Sequence, residues 1–473
     1  MNDVAPSPGP SDSSEPTRLA LLLRAFSHRN YRLFFSGQIV SLVGTFLTQV
    51  AIVWLVYDLT NSERLLGVVA FAGQIPMFLL APFAGVWVDR LNLRRLLVIT
   101  QTLSMLESFG LAILAFLAYQ KHVAGSVHQA HAMGIVYGII ALSTVQGLIN
   151  AFDMPGRQAF LVQMVTRRED LGNAIALNST MVHGARLIGP AIAGFLIHFV
   201  GPAICFLIDG CSYIGVIAAL LAMHIVPRPT PEDVRTVFHD LREGLRYIWN
   251  FKPIRVLLVV LALLSLTGMP AFTVLMPVFG EHFGGKVHSA ETLGLLMGSS
   301  GLGAFCAAIY LGSRRTVVGL GRLIAMAMAL FGFALIGFSF ASHLWICLVV
   351  VPIAGFGMLI CFASANTLLQ TLTEDRMRGR VMSLFSMAFA GMLPWGSLLT
   401  GDAAAHMGGE FLGATRALKI AAALVLITCA SFTLKLPDLR RIIRPIYIKQ
   451  GILPAEVGAG MQTATEVVTG PEY

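Results

Sequence analysis

Three ionisable side chains interrupt long apolar runs of this chain: Glu107, Arg186 and Asp209. A charge held in hydrocarbon costs about 3 kcal/mol or more, so such residues mark function unless they are paired. A carboxyl there can carry a proton between two compartments, because burial disfavours its charged form. Alternatively, Glu107 or Asp209 forms a buried ion pair with Arg186, and His183 joins that network. Gln38 and Gln74, with Gln49, Gln146 and Asn178, can hydrogen-bond across helices or line a cavity. Met269, Phe272, Met297, Phe362, Phe389 and Met392 offer an adaptable apolar wall for a bulky ligand, or plain core.

A second constellation is the basic turn Gly85-Val-Trp-Val-Asp89-Arg90-Leu-Asn-Leu-Arg94-Arg95. Asp89 can accept hydrogen bonds from the free N–H groups at a helix start, and the arginines can meet a carboxylate or anionic lipid heads. The turn is therefore a latch of breakable ion pairs or a simple positive anchor; the anchor accounts for the arginines but not for Asp89. A third is Gly184-Ala-Arg-Leu-Ile-Gly189-Pro190-Ala-Ile-Ala-Gly194. Small residues let another helix approach and Pro190 weakens the hydrogen-bond ladder, which suits either a hinge or close packing.

The elements that must position these residues follow from apolarity. The 473 residues are 56% hydrophobic and 12% charged, with a mean hydropathy of +0.75, against roughly 25% charged in soluble domains. Stretches of the roughly 20 residues needed to cross a bilayer recur between Gly, Pro and Arg punctuation. We count twelve, near 34–57, 65–88, 96–119, 132–152, 172–198, 203–226, 255–280, 291–313, 321–341, 344–369, 380–404 and 413–436. The expected fold is all-α and integral to the membrane.

The chain is also duplicated. A shift of 227 residues puts Ser62 on Ser289, Gly67 on Gly294, Gly85 on Gly312 and Arg95 on Arg322. A shift of 207 puts Gln163 on Gln370, Thr166 on Thr373, Gly172 on Gly379, Gly189 on Gly396 and Gly194 on Gly401. The difference of 20 marks an extra loop near 120–132, where His122, His128 and His131 cluster without a reliable metal spacing. Thr316 stands where Asp89 would repeat, so only the first copy of the turn keeps its acid. The expected organisation is an arm with an interfacial segment over 1–32, a six-helix bundle over 33–226, a linker helix over 227–254, a second six-helix bundle over 255–436, and a tail over 437–473.

Of the 33 Lys and Arg residues, 27 fall in the terminal segments and in alternate loops on one side. Both termini are therefore expected in the cytoplasm. This bias explains the net charge of +8 without a nucleic-acid surface. The six cysteines fall within spans and have no C-x-x-C spacing, so they read as small core residues, neither disulfide nor metal ligands. The first 17 residues lack the apolar core of a cleavable signal. No Gly-x-x-x-x-Gly-Lys-Ser loop, His-Glu-x-x-His or Gly-x-Ser-x-Gly arrangement occurs, which argues against ATP drive and against an embedded enzyme.

Over roughly residues 25–436 the chain resembles the major facilitator superfamily. The Gly85 to Arg95 turn is similar to that superfamily's signature, Gly-x-x-x-Asp-Arg before a basic pair, with Asn92 and Leu93 in place of the usual Gly. The opening His28-Arg-Asn-Tyr-Arg-Leu-Phe-Phe-Ser-Gly-Gln, the Arg186 to Gly194 run and Arg378-Gly-Arg-Val-Met-Ser383 resemble its enterobactin-exporter-like and macrolide-efflux-like branch. The resemblance implies two pseudo-symmetric bundles that rock about a central site. It implies that Asp89 reaches the start of the eleventh span at Arg378 and Gly379, that Arg90 reaches toward Asp153, and that Arg157 belongs to the same gate. It implies export of a drug-type or siderophore-type compound by proton antiport across the bacterial inner membrane; a lysophospholipid or metabolite translocator of the same fold is the alternative. The expected partners are a small-molecule substrate, protons and membrane lipids, with no cofactor and no nucleic acid, for a monomer that is not an enzyme.

Overall fold

A computed structural model describes residues 24–88, 91–123, 129–165, 167–224, 237–314, 316–374, 376–450 and 452. Among them the only regular element is helix, as lipid requires of a backbone that must satisfy its own polar groups. The first half holds α1 (Arg29–Thr60), α2 (Glu63–Val88), α3 (Leu93–Val123), α4 (Gln129–Met164), α5 (Leu171–Val200) and α6 (Pro202–Ala222). After the linker helix α7 (Val237–Asn250) come α8 (Lys252–Val274), α9 (Met276–Ser313), α10 (Leu320–Ser339), α11 (Leu344–Leu372), α12 (Arg378–Ala390), α13 (Leu393–His406) and α14 (Glu410–Lys449).

Among the described residues eleven stretches are long and apolar enough to cross a bilayer, and one of them, Lys252–Ser313, is 62 residues long. That stretch makes two crossings. It folds back at Gly285, whose φ of 62° is left-handed and costs glycine little. A methyl group on Gly280 would sit 3.1 Å from the Ser289 carbonyl, so the two limbs lie side by side. With this pair resolved, the crossings number the twelve expected. The eleventh is broken between α12 and α13, where Phe78 of α2 crowds Gly391 at the break. The twelfth runs on past the boundary expected at 436, through Pro437 and Pro445 to Lys449. Likewise α4 continues past the boundary expected at 152 to Met164, so Asp153 and Arg157 both lie within it.

Arg24 and Ile452, the outermost described residues, share one end of the bundle; the opposite end is called here the far end. At the shared end, the short 3-10 turn Arg24–Ser27 docks on the start of α5. His28 Nε2 lies 3.0 Å from Asp170, Tyr31 donates to the Ala174 carbonyl, and Phe26 packs edge-on against Tyr31 and Phe35.

The halves meet through two helix crossings. In one, α2 packs on α13, and a methyl group on Gly67 would lie 2.6 Å from the Ser397 carbonyl and 3.2 Å from Gly401 Cα. In the other, α5 packs on α9, and a methyl group on Gly194 would lie 2.7 Å from the Ala290 carbonyl and 3.0 Å from Gly294 Cα. Glycine permits both, because any side chain would strike backbone. The four residues are the two repeat pairs, exchanged: Gly67 matches Gly294 and Gly194 matches Gly401 in sequence, yet each touches the other pair's member.

Candidate functional site

The most deeply buried acidic residue described in the first half is Asp209 on α6, which is 2% exposed. Gly44 on α1 makes room for it; a methyl group there would lie 2.7 Å from Asp209 Oδ1. Thr48, one turn further along α1, donates to Asp209 Oδ2 at 2.9 Å, and Ser108 of α3 donates to the same oxygen at 2.9 Å. The Ser108 hydroxyl also lies 3.5 Å from Glu107 Oε2, and Glu107 is 5% exposed. Asp209 Oδ1 has no hydrogen-bond partner. Two carboxyl groups thus share one hydroxyl on three packed helices, an arrangement that can take up and release a proton without moving the backbone.

Arg186 does not belong to this cluster. Its guanidinium lies over the Phe46 ring, 5.7 Å from the centroid, and among the described residues it has no hydrogen-bond or ion-pair partner. The buried ion pair considered from sequence does not form, because Asp209 is held by hydroxyls on the far side of α1. Arg186 stands instead at the seam between the halves, where its carbonyl crowds Gly301 of α9. His183 Nδ1, one turn earlier, is buried without a partner. Gln38 is buried in α1 with Oε1 unpartnered, and among the described residues Gln74 bonds the Ala70 carbonyl of its own helix.

Of the two readings of Gly189, Pro190 and Gly194, hinge or close packing, the contacts show the packing. The helix is continuous from Leu171 to Val200, Gly189 packs on Phe46, and Gly194 forms the crossing with α9. In the second half Gly396 packs on the Leu266 carbonyl and Pro270. Of the apolar wall, Phe272 is core at 1% exposure, whereas Met392 is 40% exposed. Cys211 and Cys306 are exposed, unlike the other four cysteines, because helix faces toward lipid need no burial.

Near the end that bears the termini, Asp153 is a node. Arg157, one turn along the same helix, meets it at 2.5 Å, while Thr100 and Gln101 of α3 each donate to it at 2.7 Å. Asp153 is thus already paired by Arg157, Thr100 and Gln101. Asp89 and Arg90 lie outside the described residues. Gly85 falls within α2. Arg94 donates to the carbonyls of Leu220 and Leu221, capping the C-terminus of α6, where a cation also suits the helix dipole. Arg95 is exposed, and its backbone N–H is capped by Asn92 Oδ1 at 3.1 Å. Gly379 opens α12 with free space beside it.

Toward the far end the two halves bond directly. Arg64 meets Asp402 at 3.2 Å, and Trp54 donates to Ser289 at 3.1 Å. Glu63 is buried at 3% exposure beside these contacts. These contacts join the two halves at the far end. Sequence reasoning missed Thr48, Ser108, Thr100, Gln101 and Glu63; Ser108, next to Glu107, carried a local signal, whereas Thr48, Thr100 and Gln101 meet their acids only across helices. The side chains of His122 and His128 lie outside the described residues, and His131 is exposed.

The family model described as transmembrane secretion effector, a branch of the major facilitator superfamily, matches residues 22–444. A staphyloferrin A transporter of Staphylococcus aureus is 27% identical over 77% of this chain and 87% of its own length. The multidrug efflux pump Tap of Mycolicibacterium fortuitum is 25% identical over 76% of this chain and 86% of its own. Among solved structures, a bacterial homologue of the iron transporter ferroportin in its inward-facing state superposes with a TM-score of 0.66 at 15% identity, covering 86% of this chain and 98% of its own. With the match spanning nearly all of both six-helix halves, the chain belongs to the transmembrane secretion effector family of major facilitator transporters.

Proposed function

We propose that the protein exports a bulky organic compound of the drug or siderophore type across the bacterial inner membrane, as a monomer, by alternating access coupled to proton antiport. Both termini lie in the cytoplasm, so the far end, where these contacts join the halves, faces outward and substrate enters from the cell. The observation that carries the reading is the Glu107, Ser108, Asp209 and Thr48 cluster, a buried acid pair with no cationic side chain bonded to it among the described residues, inside one half of a two-half bundle. Similar proteins named as a staphyloferrin A transporter and a multidrug efflux pump support the substrate class.

In this mechanism the acid pair is hydrated from one side at a time. A proton taken from outside is released inside as the far-end crossings open and close. Arg186, which lies over Phe46 at the seam and has no ion-pair partner among the described residues, meets an anionic group of the substrate. Asp89 and Arg90, with Arg94, Arg95, Asp153, Arg157 and the start of α12, act as the gate on the cytoplasmic side. No catalytic chemistry is assigned to any residue.

The test is accumulation of dyes, macrolides and siderophores in cells with and without the protein, with the proton gradient intact or collapsed. Export should require the gradient, and Arg186→Gln should spare neutral substrates while losing acidic ones. Gradient-independent export would remove the antiport step, and accumulation that rises with the protein would reverse the direction.

A further inference from the structure

Where α5 ends at the far end, its residues face the start of the second limb of α9, and three metal-ligating side chains converge. His198 Nε2 lies 3.6 Å from Glu291 Oε1, and His288 Nδ1 lies 2.9 Å from Glu291 Oε2. The two imidazoles stack at 5.2 Å with 15° between planes. One ligand atom from each residue falls within 4.8 Å of the others. His198 is oriented for this role: its Nδ1–H lies 3.1 Å from the Val287 carbonyl it donates to, which leaves the Nε2 lone pair toward Glu291.

We propose that His198, His288 and Glu291 form a site for a divalent transition metal of the zinc type, which clasps the far end shut. Two imidazole nitrogens and one carboxylate suit zinc, nickel or copper and not magnesium, and water completes the shell. Side-chain exposures of 21%, 59% and 21% make the site reachable from solution. Its placement couples it to the conformational cycle. His198 lies one turn beyond Gly194 and Glu291 one turn beyond Gly294, so the site continues the α5 and α9 crossing on the same faces. His198 belongs to one half, His288 and Glu291 to the other. Parting the halves at this end splits the ligand set, so metal binds the shut state better and draws the population toward it. Binding exchanges the His288 N–H bond to Glu291 for a metal–nitrogen bond; the ring proton moves to Nε2, and no electron is transferred.

The test titrates zinc chloride into the purified full-length protein in a cysteine-free background, by calorimetry. One ion should bind per chain, and His198→Ala and the more conservative Glu291→Gln should each weaken binding by about tenfold or more. Zinc should also slow maleimide labelling of Ser289→Cys, which the shut end buries, whereas magnesium should not. Zinc affinity in both variants equal to the parent's would overturn the site. Binding with unchanged labelling would overturn the clasp. Neither readout depends on which compound is exported.

Discussion

In the first half Asp209 lies among the hydroxyls of Thr48 and Ser108, whereas in the core of the second half Phe279 stacks on Phe338 at 4.2 Å, with Phe272 and Phe411 edge-on to the pair. The 227-residue shift puts Thr48, Glu107 and Ser108 on Leu275, Ala334 and Leu335, all buried. Duplication kept the frame of crossings and let the interiors part. One half buries an acid pair among hydroxyls; the other buries packed aromatic rings.

The sharpest way to break that contrast is Asp209→Asn. It fixes the neutral form, so proton-driven transport into proteoliposomes should fall by about hundredfold or more while substrate exchange at equal pH survives. Retained proton-driven transport would move the coupling site elsewhere. Gly194→Val comes next. It should part the far end, cut transport by about tenfold, and speed maleimide labelling of Ser289→Cys; unchanged labelling would show that the crossing does not hold the shut state. In the second half, Phe279→Ala should cost about 3–5 kcal/mol of stability, seen as a lowered unfolding temperature, with transport per folded molecule near normal. A specific loss of proton coupling there would erase the distinction between the halves. The smallest effect is expected at Arg64→Ala. Its ion pair with Asp402 is exposed and worth about 1 kcal/mol or less, so transport should change by no more than a few-fold.

Much of the frame was legible because hydrocarbon imposes it. The spans, the duplicated glycines and the embedded acids could all be read from residue type and spacing. What could not be read was azimuth. A helix in lipid is apolar on nearly every face, so periodicity does not say which side meets a neighbour. Hence Arg186 could be assigned to the acids although it faces the opposite way, and the partner that Gly194 packs on could not be named. Asp153 illustrates a second limit: Arg157 is one turn away only if the helix continues through Pro155, which sequence rules disfavour and surrounding helices permit. The fold-back at Gly285 falls in the gap read between the spans at 255–280 and 291–313, where Glu281, His282, Lys286 and His288 interrupt the apolar run.

The linker helix α7 carries a consequence for how the protein can be made. Glu243 meets Arg380 at the start of α12 at 2.8 Å, and Gly244 lies against Leu384 and Arg380. The helix therefore belongs physically to the second half, although the chain delivers it from the first. A polypeptide divided between Met223 and Val237 would leave α7 seated and both glycine crossings intact. Two separately translated fragments should then reunite in the bilayer, which would let each half be labelled, mutated or silenced alone.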